Sequence, residues 1–158
     1  MKIMFVCHGN ICRSPMAEYI FKDLIRKRGL SDEWFCYSRA TSDEEIGVGG
    51  VGNDIYPPAK SVLRAHGIEF KRHNAKRLVR EDYDSYDVFV GMDSANISSM
   101  MRIFGSDPDE KIMKLNEKDV FDPWYSGDFE TTYRDVLEGC EGIFNSLPLE
   151  GKVARRKA

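Results

Sequence analysis

The chain has 158 residues, 42% of them hydrophobic and 31% charged, a composition that fits one globular domain and excludes intrinsic disorder. A formal net charge of -3 argues against a general nucleic-acid or anionic-membrane surface, which needs a basic face, so any phosphate site has to be local. No apolar run approaches the ~20 residues that cross a bilayer, and four cysteines (Cys7, Cys12, Cys36, Cys140) behind a start without signal-peptide regions point to the reducing cytoplasm rather than a disulfide framework.

In chain order, KIMFVC (Lys2–Cys7) reads as a strand buried on both faces, ended by Gly9, Asn10 and the pair Ser14, Pro15. From Pro15 the residues Met16, Tyr19, Ile20, Leu24 and Ile25 recur at helical spacing, and Gly29 suits the stop. Residues 34–37 read as a second strand, 59–66 as a helix ended by Gly67, and 68–70 as a further short strand. Residues 86–92 (YDVFVGM) form another buried strand, and Asp93 is placed to cap a helix carrying Ile97, Met100, Met101 and Phe104. Residues 111–115 give a fifth strand, and Phe129, Tyr133, Val136, Leu137, Cys140, Ile143, Phe144 and Leu147 mark a closing amphipathic helix. Residues 1–150 are expected to form one domain and 151–158 (GKVARRKA) a basic solvated tail. Gly47, Gly49 and Gly52 match the letters of a dinucleotide fingerprint, but they follow no strand and open no helix, so a flexible loop is the expectation.

Strand and helix alternation favours a parallel sheet, whose ligands bind beyond the carboxyl ends of the strands. The loop there is HGNICRSP. With Cys7 at the strand end and Arg13 at the helix start, successive backbone N–H groups can turn into one concavity, an anion nest capped by the helix N-terminus. Arg13 supplies a bidentate clamp for a tetrahedral oxyanion. The same positive field favours the Cys7 thiolate, Ser14 can hydrogen-bond it, and Gly9 and Asn10 tolerate the left-handed backbone of a tight loop. His8 is expected to face solvent.

HGNICRSPMAE closely resembles the signature of the low molecular weight protein tyrosine phosphatases, and FDPWYSGDFETTY resembles that family's second motif near the other end of the chain. SRATS, SVLRAHGI, HNAKR and EDYDSYDVFVGMD are similar to family segments in the same order, so the resemblance spans about residues 2–147. It implies a flavodoxin-like three-layer α/β sandwich, with a four- to five-stranded parallel sheet and helices on both faces. It also implies Cys7 as nucleophile, Arg13 as phosphate clamp and Asp122 as general acid, then base. His8, Gly9, Asn10, Ile11, Cys12 and Ser14 would surround the phosphate. Trp124 and Tyr125 would either form a slot for a phenyl ring or belong to the core. A Cys7–Cys12 disulfide that shields the nucleophile is a further implication.

By the same resemblance the substrate is a phosphotyrosine protein, a tyrosine kinase is a candidate partner, and neither cofactor nor metal is needed. His8, His66 and His73 show no ligand spacing with the cysteines or carboxylates. Several rivals are weaker. An arsenate reductase relays through further cysteines, and none occurs between Cys36 and Cys140. Arginine phosphatases of the same fold tend to carry Thr where Ile11 stands. A phosphoanion-binding or phosphocysteine-carrier module would not need Asp122. The stretch DEEIGVGGVGNDIYPPA departs from the family, being longer and placing Glu44 where an aromatic rim residue often stands, which leaves substrate preference open.

Overall fold

Successive residues of a strand face opposite sides of its sheet, and in β1 (Lys2–Cys7) both sides are apolar. Ile3, Phe5 and Cys7 enter one hydrophobic core, Met4 and Val6 another. The computed structural model describes residues 1–47, 49 and 51–147. Among these, β1 pairs in parallel with β2 (Phe35–Ala40) on one side and β3 (Val88–Gly91) on the other, and β3 pairs in parallel with β4 (Ile112–Lys114). The spatial order is β2-β1-β3-β4. A strand this central has no solvated face, which is why its sequence shows no polar alternation.

Among the described residues five α-helices flank the sheet: α1 (Arg13–Lys27), α2 (Pro57–Ala65), α3 (Ser94–Phe104), the short α4 (Pro123–Ser126) and α5 (Phe129–Ser146). The core on the Ile3 side takes Met16, Ile20 and Phe21 from α1 and Val136, Cys140 and Ile143 from α5. The opposite core takes Met100 and Phe104 from α3. Helices on both faces of a parallel sheet match the three-layer arrangement expected from the sequence. Phe21 is the hub of the first core: its ring stacks on Phe144 at 4.8 Å and meets Phe5 edge-on at 5.5 Å and Trp34 at 5.8 Å.

The differences from the sequence reading have local causes. Residues 68–70 are not a strand, so the described sheet has four strands and not five. Ile68 is buried in the α1 and α5 core and Phe70 packs edge-on against Tyr19 of α1 at 6.3 Å, so apolar burial on a helix, not a ladder, made this segment look like a strand. Trp34 precedes β2 and belongs to the aromatic core. Helix α1 begins at Arg13, so Pro15 sits inside the first turn, where its missing N–H costs no helical bond. The expected cap of α3 is present: Asp93 accepts from the Asn96 N–H at 2.8 Å, and Asn96 Oδ1 accepts from the Asp93 N–H at 3.0 Å. Among the described residues no helix is long and apolar enough to cross a membrane. The domain boundary at residue 150 and the tail 151–158 lie outside the described residues.

Because Phe21 is fully buried and bounded by three aromatic rings, Phe21→Ala should lower the unfolding free energy by about 3–5 kcal/mol with an unchanged denaturant slope. Equilibrium urea unfolding measures this, and a loss below about 1 kcal/mol would contradict the packing described.

Candidate active site

The chain leaves β1 at Cys7 and enters α1 at Arg13, and the turn between them depends on Asn10, a non-glycine residue with φ of 63°. Asn and Asp reach this left-handed region more readily than other side chains. The turn folds the chain back over the Cys7 sulfur. Cys7 Sγ accepts from the Asn10 N–H at 3.3 Å and the Ser14 N–H at 3.4 Å, and lies 3.0 Å from Ser14 Oγ. Donor counting fixes the last contact. Asn10 Nδ2 donates to Ser14 Oγ at 2.8 Å, so the hydroxyl is free to turn its own hydrogen toward the sulfur. Three donors thus converge on the Cys7 sulfur.

The rest of the Asn10 amide is spoken for as well. Nδ2 donates to Ser38 Oγ at 3.0 Å, and Ser38 in turn donates to the buried Glu18 carboxylate at 2.6 Å. Oδ1 accepts from the Lys76 N–H at 3.0 Å. The His73 ring reaches the Asn10 backbone carbonyl at 2.9 Å and Oδ1 at 3.1 Å through Nε2, and since both are acceptors, Nε2 carries the hydrogen. Burial holds His73 below its ordinary value, which suits this neutral donor role.

Arg13 is almost wholly buried. Its Nη1 donates to Asp93 at 2.7 Å and to the Val120 carbonyl at 2.9 Å, and its Nη2 lies 3.6 Å from the Asp122 carboxylate. Burial by itself would lower the guanidinium pKa, but the charges of Cys7, Asp93 and Asp122 outweigh it and the net direction is up. Asp93 therefore orients the Arg13 guanidinium as well as capping α3. The Val120 N–H also donates to the Met92 carbonyl at 2.9 Å, which ties the segment before Asp122 to the end of β3. Asp122 is the N-cap of α4, accepting from the Trp124 N–H at 3.0 Å, with Pro123 next in chain.

These elements enclose a cavity of about 180 Å³. Cys7, His8, Gly9, Asn10, Ile11, Cys12 and Arg13 form its floor, and Asp122, Trp124 and Tyr125 one wall. Ser14 lies beneath, bonded to Cys7. Trp124 and Tyr125 are exposed, so the core alternative does not hold for them, and the Trp124 ring leans on Tyr56 with centroids 4.8 Å apart. His8 is exposed, as expected, and also pairs with Glu44 at 3.1 Å. Glu44 and Glu45 complete the cavity. Cys7 and Cys12 are both free thiols.

A profile of the family described as low molecular weight phosphotyrosine protein phosphatase matches residues 2–153. The chain belongs to that family. It is 35% identical to the low molecular weight protein-tyrosine-phosphatase YfkJ of Bacillus subtilis over 95% of this chain and 97% of that protein. It is 32% identical to the low molecular weight phosphotyrosine protein phosphatase of Sus scrofa over 92% of this chain and 94% of that one. The crystal structure of SP-PTP, a low molecular weight protein tyrosine phosphatase from Streptococcus pyogenes, superimposes with a TM-score of 0.84 at 38% identity, covering 92% of each chain. The family expected from the two sequence motifs is thus the one found.

Several residues of the site escaped the sequence reading. Ser38, His73 and Lys76 support Asn10 from 28 to 66 positions away in sequence, and Val120 contributes only a carbonyl, which no side-chain motif reveals. Glu45 gave no signal beyond lying in the loop that departs from the family.

The four thiols sit in unlike surroundings. Burial first, then the nearby Cys7 and Asp122 charges, pushes the Cys12 thiol up. Burial does the same to Cys36 and Cys140. At neutral pH iodoacetate should therefore alkylate Cys7 at least about tenfold faster than the other three, as read by peptide mass spectrometry. Comparable labelling of Cys12 or Cys36 would contradict the contrast between these buried thiols and the hydrogen-bonded Cys7 sulfur.

Proposed function

We propose that the chain hydrolyses phosphotyrosine monoesters in proteins through a phosphocysteine intermediate formed on Cys7. The observation that carries this reading is the placement of a threefold hydrogen-bonded sulfur, a buried arginine and an aspartate on one small cavity. With Nη1 fixed by Asp93 and Val120, the Nε and Nη2 edge of Arg13 is the one suited to grip two phosphoryl oxygens. The loop N–H groups and the α1 N-terminus meet the remaining charge.

In the first half-reaction the Cys7 thiolate attacks phosphorus as the phosphorus–phenol oxygen bond breaks, and protonated Asp122 gives its proton to the departing oxygen. In the second, the Asp122 carboxylate takes a proton from water as that water attacks the phosphocysteine. The sulfur–phosphorus bond breaks, phosphate leaves and the thiolate returns. Ser14 stabilises the sulfur as nucleophile and again as leaving group. Trp124, propped on Tyr56, and Tyr125 stand where a phenyl ring would pass, and Ile11 adds an apolar contact at the floor. No step calls for a metal or cofactor.

Residues 1–150 act as one catalytic domain in this reading, and a tyrosine kinase that makes the substrate is the natural counterpart. A reducing cytoplasm suits an enzyme whose nucleophile is a free thiol, and the family resemblance implies Cys12 as its partner in a protective disulfide when oxidants rise. A phosphocysteine carrier without turnover is the other reading, and the position of Asp122 beside Arg13 weighs against it.

Steady-state hydrolysis of a phosphotyrosine peptide and of p-nitrophenyl phosphate tests the assignment. Cys7→Ser should abolish turnover of both. Asp122→Ala should lower kcat about 10²–10⁴-fold on the peptide and less on the nitrophenyl ester, whose leaving group needs little protonation. Wild-type protein that binds phosphate yet turns over neither substrate would replace this reading with the carrier.

A further inference from the structure

Two consecutive carboxylates line the cavity without a part in the chemistry above. Glu44 and Glu45 face the same space as Cys7, Arg13 and Asp122. The loop that carries them is anchored. The Glu45 carbonyl accepts from the Asn53 N–H at 2.8 Å, and the Asn53 carbonyl accepts from the Ala75 N–H at 2.8 Å. Gly52 passes so near Ala75 that a Cβ there would stand 1.8 Å from its carbonyl oxygen, an approach open only to glycine. Asp43 pairs with Arg77 at 2.9 Å. Glu45 also rests on the phosphate loop itself, its Cγ 3.3 Å from where a Cβ of Gly9 would lie. Glu44 stands beside it, held by His8 at 3.1 Å.

A phosphotyrosine whose phosphate reaches the cavity floor and whose ring passes Trp124 must lay its neighbouring residues across this rim. Acidic neighbours meet Glu44 and Glu45 at close range and are repelled, whereas lysine or arginine finds partners. Discrimination of this kind draws on repulsion as much as attraction. We propose that Glu44 and Glu45 are specificity residues that select phosphotyrosine segments carrying Lys or Arg near the phosphotyrosine and reject acidic ones. The proposal rests on the phosphatase reading above and adds the substrate's charge. The contact is the same before and during the reaction, so it acts on KM more than on kcat.

The test uses two phosphotyrosine peptides of equal length, one with arginine and lysine on both sides of the phosphotyrosine and one with aspartate and glutamate there. For exposed charge pairs, wild-type kcat/KM should be about five- to tenfold higher on the basic peptide, mostly through KM. Glu44→Gln with Glu45→Gln should bring the ratio to about one or two, and ~0.5 M salt should do the same to the wild type. A wild-type ratio at or below one, or a preference that survives both glutamine substitutions, would overturn the proposal. Failure of the wild type to cleave either peptide would remove the phosphotyrosine reading and this proposal with it, whereas equal turnover of the two removes the rim assignment alone.

Discussion

The side chain of Asn10, held in a left-handed backbone conformation with no exposure to solvent, is the constraint on which the rest of the site depends. Its N–H points at the Cys7 sulfur, its carbonyl receives His73, its Nδ2 links Ser14 to Ser38, and its Oδ1 receives Lys76 and His73. A buried amide with all its bonds made holds one geometry, while each bond lost would strand a polar group at a cost of about 1–3 kcal/mol. Asn10 thereby joins the end of β1, the start of α1, the middle of β2 and residues 73–76 into one unit, and orients the Ser14 hydroxyl toward the sulfur.

Charge is arranged with similar economy. A guanidinium as buried as that of Arg13 would be unfavourable alone, and Asp93 and the Val120 carbonyl compensate it while setting its plane. Asp93 can serve because β3 ends just before it and α3 begins just after, so a helix-capping residue falls at the carboxyl edge of the sheet. Val120 comes from the segment that follows β4 and leads into Asp122. Arg13, the α3 cap and the Asp122 loop are therefore positioned by three neighbouring strand ends, where ligands bind an open parallel sheet. The protein carries a net charge of -3, so in the proposed reading the loop amides and Arg13 supply the local field that favours a phosphate.

Much of this was legible in the chain. The placement of Cys7, Arg13, Ser14 and Asn10 was legible because the loop is contiguous: strand, turn and helix start fall within a dozen residues, and each residue type has a local physical task. Asp122 was legible only jointly with that loop, since an Asp-Pro pair alone reads as a turn. The alternation of buried strands and amphipathic helices gave the parallel sheet, and Asp93 was marked as the cap of α3. What sequence could not convey were contacts made across the fold. His73 and Lys76 belong to no secondary-structure pattern, and Ser38 is an ordinary inward residue of β2 until Asn10 faces it. Residues 68–70 misled because burial against α1 leaves the same apolar trace as burial in a sheet.

The central claim is that Cys7 itself becomes phosphorylated, and direct capture of that bond tests it most closely. Wild-type protein mixed rapidly with a phosphotyrosine peptide or p-nitrophenyl phosphate, quenched within milliseconds and analysed as intact protein and as peptides under conditions that preserve thiophosphate esters, should carry one phosphoryl group on the peptide containing Cys7. Substrate turnover with no such adduct, or with the phosphoryl group on another residue, would contradict the account.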